Sequence, residues 1–204
     1  MAFHGSPLRV LVIPGLRGSG PAHWQSWLQG HFKRARRVEQ ADWDAPDLAA
    51  WAARIAATLA AEPPGPWVAV AHSFGCLALA RHLLSVDAPG GEGTVHGIRA
   101  VLLVAPAEPA RFGLQDTPLQ QRLRVPATLL ASDTDPWMSA SRAEAFAQAW
   151  GSGFVNLGDA GHINADAGFG PLPSAKKLTE FLIHRVEQFR RPERADLHEF
   201  SFAV

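Results

Sequence analysis

The chain has 204 residues, of which 47% are hydrophobic, and its 19 basic side chains balance 19 acidic ones. This composition excludes a disordered chain, and the neutral charge balance argues against nucleic acid or an anionic membrane as the main partner. Cys76 is the only cysteine, so an intrachain disulfide is excluded and a zinc cluster lacks ligands.

Short apolar runs alternate with helical patterns along nearly the whole chain. The runs predicted as strands are Leu8–Ile13, Arg37–Ala41, Trp67–Ala71, Ile98–Val104, Ala127–Ala131 and Phe154–Leu157. The segments predicted as helices are Ala22–Phe32, Asp47–Ala61, Phe74–Leu84, Ser139–Trp150 and Ser174–Phe189. None of the apolar runs is long enough to span a bilayer, and the first does not have the layout of a signal peptide, so we expect a soluble, cytoplasmic protein.

This alternation predicts a three-layer α/β fold. Several runs are continuously apolar, which is typical of a parallel sheet buried on both faces. We expect a mostly parallel six-stranded sheet, with a strand order near 2-1-3-4-5-6 and helices on both faces. One domain is predicted over residues 1–190, followed by a C-terminal tail over residues 191–204, and the Gly-rich segment Val86–His96 is predicted to be a surface loop.

An apolar strand leads directly into Ser73, and a helical pattern follows at once. This context is typical of a nucleophile elbow, a sharp strand-to-helix turn that lifts the serine hydroxyl above the sheet. The close backbone contacts of such a turn require small residues two positions before and two after the serine, where this chain has Ala71 and Gly75. The alternative role for Ser73 is to cap the helix that begins at Phe74.

A serine hydroxyl needs a base, and in this kind of fold the order along the chain is serine, acid, histidine. His162 is the late histidine that directly follows a predicted strand, in a loop with glycines. Two candidate acids, Asp133 and Asp135, follow the strand before it. We favour Asp135, because Pro136 biases its backbone towards an extended conformation, and we expect Asp133 to bond local backbone amides instead.

Acyl transfer also needs N–H donors where the carbonyl oxygen becomes negative. The elbow supplies the N–H of Phe74, and the loop Pro14–Gly20 after the first strand supplies that of Leu16 as the second candidate. The same loop does not fit a nucleotide site. Pro21 stands where a phosphate-binding lysine is required, and Arg17 stands at the second glycine of the dinucleotide fingerprint.

Together these residues resemble the retinoblastoma-binding-protein-nine-like (YdeN-type) serine hydrolases, a small lidless branch of the α/β hydrolases. The resemblance runs from VLVIPG near the start to the helix ending near Phe189 and includes the segments HWQSW, AHSFG, SDTDP and GHIN. It implies a triad of Ser73, His162 and Asp135, in agreement with the choice made from the residues. Ala71 departs from the usual glycine of the elbow, and no Leu-x-Cys-x-Glu motif supports a retinoblastoma-protein partner.

The predicted function is hydrolysis of a small ester or amide through these three residues and an acyl-enzyme, with no metal and no organic cofactor. Because only Ala105–Arg124 separates the strand ending at Val104 from the next, the cap over the site is expected to be minimal and the acyl group small. Trp137 is a candidate for the substrate pocket. His23 and Trp24 are further candidates, with a place in the core as the alternative for Trp24.

Two other functions remain open from the sequence. One is a non-catalytic protein-binding module on a hydrolase scaffold, against which the complete triad argues, since binding alone does not need all three groups. The other is opening of a haloalkane or epoxide, which uses a carboxylate at the elbow and is disfavoured by Ser73. The partner we expect is a small-molecule substrate, and the sequence leaves the oligomeric state open.

Overall fold

A computed structural model describes residues 7–86, 97–116 and 119–199, with side chains described as far as Phe189. The strands are β1 (Arg9–Ile13), β2 (Arg36–Arg37), β3 (Trp67–His72), β4 (Ile98–Val104), β5 (Ala127–Ala131) and β6 (Gly153–Asn156). The helices are α1 (Trp24–Gly30), α2 (Leu48–Ala60), α3 (Phe74–Val86), α4 (Ala140–Trp150) and α5 (Pro173–Glu199), with a 3₁₀ helix at Pro109–Phe112.

The six strands form one sheet in the order β2-β1-β3-β4-β5-β6, and every neighbouring pair is parallel. This confirms the predicted three-layer α/β-hydrolase fold and strand order. Alternate residues of a strand face opposite sides of a sheet. In β1, Val10 and Val12 therefore pack in one core while Leu11 and Ile13 pack in the other, which is why the run is continuously apolar.

Helices cover both faces of the sheet. α1 and α5 pack on the face of Val10, and α2, α3 and α4 pack on the face of Leu11. Side-chain caps hold two helix starts: the Asp47 carboxylate accepts from the N–H of Ala50 at 2.9 Å, and Ser139 Oγ accepts from the N–H of Arg142 at 3.3 Å. These bonds satisfy N–H groups that have no partner inside the helix.

The ends of several elements differ from the predictions. β2 ends at Arg37, where a strand to Ala41 is predicted, and β6 begins at Gly153 instead of Phe154. α1 is shorter than predicted, because His23 forms its N-cap: the Nδ1 atom of His23 accepts from Gln25 N–H at 3.1 Å.

α5 continues to Glu199, beyond the predicted end at Phe189, so part of the segment predicted as a tail is helical. A helix once nucleated adds a hydrogen bond for each further residue, so charged composition alone does not end it. Residues 200–204 lie outside the described part of the chain. The predicted surface loop also falls outside it, except for Val86, which ends α3.

The cap over the sheet is minimal, as predicted. It contains the 3₁₀ helix, and the guanidinium of Arg142 ties it to α4 through two bonds to Glu108, at 2.7 and 2.9 Å, and one of 2.7 Å to Asp116. These hydrogen bonds raise the pKa of Arg142. Within the described ranges, no helix is long and apolar enough to cross a membrane.

Candidate active site

Ser73 lies at the turn between β3 and α3 with a φ of +55°, a conformation that residues other than glycine rarely adopt. The turn brings the backbone of the elbow against the loop after β1. A Cβ atom at Gly75 would lie 2.3 Å from the carbonyl oxygen of Pro14, so the small residue expected at this position is required. Gly15 is equally constrained, since its Cβ would lie 2.7 Å from Ser73 Cβ. We did not single out Gly15 from the sequence; its position in a Pro-Gly loop was the available signal.

The structure brings Ser73, His162 and Asp135 together from three loops at the carboxyl edge of the sheet. His162 Nε2 lies 2.8 Å from Ser73 Oγ. On the other side of the ring, Nδ1 lies 2.9 and 3.0 Å from the two carboxylate oxygens of Asp135. The side chains of His162 and Asp135 are only 8% and 3% exposed, which strengthens the electrostatic interaction between them.

The two candidate acids have different partners. Asp135 also accepts from the backbone N–H of Trp137 at 2.8 Å, which orients its carboxylate towards His162. Asp133 accepts from the side-chain amide of Asn156 at 2.6 Å. The expectation that Asp133 bonds local backbone amides is wrong, because a side chain at the end of the neighbouring strand β6 takes that place.

The segment Gly158–Asn164, here called the His162 loop, is anchored by two residues that the sequence reasoning missed. Ser132 Oγ donates to Gly158 O and accepts from Ala160 N–H, both at 3.0 Å. Thr134 Oγ1 accepts from Gly161 N–H at 3.0 Å. Both residues lie beside the candidate acids, so the loop after β5 holds the loop after β6.

Two backbone N–H groups belong to residues that adjoin the turn at Ser73. Phe74 directly follows the serine and begins α3. Leu16 follows Gly15, whose Cβ position is 3.3 Å from Ser73 Oγ. Among the described residues, neither N–H has a hydrogen-bond partner. Both are therefore free to donate to an atom bound next to Ser73.

A row of aromatic side chains in successive contact extends from the elbow to His162. Phe74 meets Phe112 edge to face at 4.9 Å between ring centroids, and Phe112 is parallel to Trp137 at 6.3 Å. The Trp137 ring lies 5.8 Å from that of His162 and is 37% exposed. Phe112, in the cap, was not identified from the sequence, because apolar residues in a short irregular segment carry no periodic signal.

The other two predicted pocket residues are buried. Trp24 is fully buried, and its indole N–H donates to Ile163 O at 2.8 Å. His23 is also buried, caps α1 and lies edge to face with His72 at 4.8 Å between centroids. Because neither buried side chain is accessible to a substrate, we leave both out of the pocket proposed below.

Comparisons with known proteins give the family. The serine hydrolase family matches residues 10–180, which is most of the chain. The chain belongs to this family. Among solved structures, a YdeN-like hydrolase of Pectobacterium atrosepticum is 41% identical, with a TM-score of 0.76 over 86% of this chain and 91% of that one. The protein is therefore a YdeN-type serine hydrolase, and it has the α/β-hydrolase fold.

More distant structures share the fold. The ydeN gene product of B. subtilis is 18% identical, with a TM-score of 0.69 over 88% of this chain and 100% of that one. Est1E of Butyrivibrio proteoclasticus, solved with ferulic acid bound, is 13% identical, with a TM-score of 0.63 over 90% of this chain and 89% of that one. No curated protein matches the chain significantly.

The buried groups around the site of this serine hydrolase have shifted pKa values. Burial lowers the pKa of His72 well below its usual 6.5, and the neighbouring His162 and His23 lower it further. Burial, with Arg37 and His162 nearby, lowers the pKa of His23 to about 4. Burial also raises the pKa of the Cys76 thiol, which lies in the core as a small apolar side chain. In the described part of the chain, no group of three His, Cys, Asp or Glu side chains is arranged to hold a metal ion.

Stability of the serine hydrolase should fall as the pH drops from 7 towards 4. Below pH 6.5 the unfolded chain protonates His23 and His72 while the folded protein keeps them neutral, so unfolding takes up protons. The free energy of unfolding should fall by at most about 1.4 kcal/mol per pH unit for each histidine. Urea unfolding at several pH values measures it.

The double variant His23→Asn, His72→Gln should flatten this dependence. Asn keeps an N-cap acceptor and Gln keeps a side-chain N–H donor, so the change removes the titration while keeping both hydrogen bonds. The ring contacts of the two histidines are lost, which lowers stability at every pH without affecting its dependence on pH. His31→Gln, at an exposed histidine, is the control and should leave the slope unchanged. An unaltered slope in the double variant would mean that other groups cause it.

Proposed function

We propose that this serine hydrolase cleaves a small ester or amide through a triad of Ser73, His162 and Asp135 and an acyl-enzyme intermediate. The observation that carries the proposal is an unbroken series of hydrogen bonds: Ser73 Oγ bonds to Nε2 of His162, and Nδ1 of the same ring bonds to the Asp135 carboxylate. A serine that only capped a helix would not need a buried histidine and a buried carboxylate in line with its hydroxyl.

The mechanism follows from these contacts. Ser73 Oγ attacks the substrate carbonyl while His162 Nε2 takes its proton. The imidazolium that forms is stabilised by Asp135, whose negative charge lies in a setting that excludes most water. His162 then gives the proton to the leaving group, and a water molecule activated by the same histidine releases the acyl group from Ser73.

The negative oxygen of the tetrahedral intermediate is assigned to the N–H groups of Leu16 and Phe74. Both N–H groups are free of partners in the described residues. Phe74 directly follows Ser73, and Leu16 follows Gly15, which packs against Ser73. Their backbone is held by the contact between Gly75 and the loop after β1, so little reorganisation is needed when the charge develops.

The pocket is assigned to Trp137 and Phe112. Because the Trp137 ring contacts His162, which protonates the leaving group, we place the leaving group beside Trp137. The guanidinium of Arg111 lies 5.3 Å from the centre of the Trp137 ring, and it donates to Pro136 O at 2.6 Å, so the ring is held in place. An apolar or aromatic leaving group fits this wall, and the minimal cap fits a short acyl group.

An activated serine is tested by intact mass after exposure to a fluorophosphonate probe. Wild type should gain one adduct and Ser73→Ala none, because only a serine whose proton is taken by an adjacent base attacks the probe readily. Ser85→Ala removes an exposed serine on the same helix, and this variant should label like wild type. No adduct on well-folded wild type would favour the protein-binding alternative.

The acid is tested by a matched pair of substitutions. Asp135→Asn should lower kcat by about 10³–10⁴-fold, since the amide cannot favour the tautomer that accepts the serine proton. Asp133→Asn should change kcat by less than about twofold, because it loses only a contact to Asn156. Steady-state kinetics with phenyl acetate measures both, and the reverse ranking would reassign the acid to Asp133.

The pocket is tested by Trp137→Ala. The variant should lose about tenfold in kcat/KM with phenyl acetate, the loss expected from removing one aromatic contact, and should hydrolyse ethyl acetate almost as well as wild type. Phe181→Ala, at an exposed ring on α5, is the control. Equal losses of kcat/KM on both esters would contradict the placement of the leaving group beside Trp137. Separately, a preference of wild type for phenyl laurate over phenyl acetate would contradict the short acyl group.

A further inference from the structure

The backbone beside His162 is strained. Ile163, the next residue, has a φ of +47°, and a β-branched residue is a clear outlier in this region. Such a conformation persists only where the surrounding contacts enforce it. Ile163 is fully buried, so those contacts must come from the interior of the protein.

Two buried ring N–H groups bond to the backbone carbonyls of His162 and Ile163. His72 Nε2 is 3.0 Å from His162 O, and Trp24 Nε1 donates to Ile163 O at 2.8 Å. The two donors come from different elements, the end of β3 and the start of α1. Both are buried, so neither contacts the substrate. Consecutive carbonyl groups on both sides of the strained residue are therefore fixed.

The two donors form one packed unit. The Trp24 and His72 rings meet edge to face at 5.9 Å between centroids, and the His72 ring lies 4.9 Å from that of His162. Burial keeps His72 neutral, so it carries a single N–H, and the bond to His162 O places that N–H on Nε2. A neutral His72 does not repel the imidazolium that His162 becomes.

We propose that His72 and Trp24 are positioning residues, which hold the backbone of His162 so that Nε2 stays within hydrogen-bond distance of Ser73 Oγ. The inference rests on the proposed function. His72 directly precedes Ser73, so its bond joins the base to the residue beside the nucleophile. This link is separate from the bond between the two reacting side chains.

The loop would remain folded without this link. Ser132 and Thr134 still hold its first half through Gly158, Ala160 and Gly161. Loss of a donor at His72 or Trp24 therefore frees only the end of the loop, at His162 and Ile163. We expect a shift in the position of the imidazole and a lower rate of the chemical step, with substrate binding nearly unchanged.

His72 is tested by exchange for Phe and for Gln. His72→Phe keeps a ring but removes the donor, and it should lower kcat for phenyl acetate about tenfold or more, because displacements near 1 Å are costly in catalysis. KM should change by less than about twofold. His72→Gln should recover most of kcat, since its side-chain N–H can reach the same carbonyl.

Trp24→Phe has a matched control in Trp150→Phe. Trp150 is also fully buried and donates its indole N–H to a backbone carbonyl, that of Leu119 at 2.7 Å, away from the site. Both variants lose the same kind of bond and should lose similar stability in urea. Only Trp24→Phe should lower kcat and the rate of fluorophosphonate labelling.

The outcomes separate this inference from the proposed function. If wild type is not labelled at Ser73, the proposed function fails. If wild type is labelled and Trp24→Phe reacts as fast as Trp150→Phe, the positioning role is overturned while the function stands. The comparison of the two Trp variants also tests the positioning role if His72→Phe does not fold. If His72→Phe folds and the kcat of His72→Gln is no higher, the proposed role of the His72 bond is contradicted.

Discussion

The contact between the elbow at Ser73 and the loop after β1 is the constraint on which the site depends. A methyl group at Gly75 would lie 2.3 Å from Pro14 O, and one at Gly15 would lie 2.7 Å from Ser73 Cβ. Because neither side chain has room, two glycines allow the two backbones to touch. Their contact holds the loop that carries Leu16 against the turn that carries Ser73, at the carboxyl edge of the sheet.

Strain is concentrated at this edge and is supported by the sheet below it. Among the described residues, those other than glycine with positive φ are Arg17, Ser73, Ala105 and Ile163, and each lies in a loop after a strand. The N–H of Ser73 donates to Val104 O at 3.0 Å, and that of Ala105 donates to Leu130 O at 2.8 Å. β4 thus holds the strained residue that follows β3, and β5 holds the one that follows β4.

The fold was predictable because its strongest signals are local. The strands Ile98–Val104 and Ala127–Ala131 were predicted with their observed ends, since a strand buried on both faces is a continuous apolar run. β2 was placed poorly because its two residues, Arg36 and Arg37, carry no apolar pattern. The short α1 was overestimated, because a histidine N-cap is not a strong sequence signal.

The sequence by itself determined the order of the elements and the residue types available for chemistry: a serine between a strand and a helix, a late histidine after a strand, and a pair of aspartates between them. Only the tertiary structure decided which aspartate meets the histidine, that Phe112 joins Trp137, and that Trp24 and His72 lie beneath His162. The physical reason is that each of these contacts joins residues far apart in the chain. Such pairings depend on how the loops pack at the edge of the sheet, and no local pattern of residues records them.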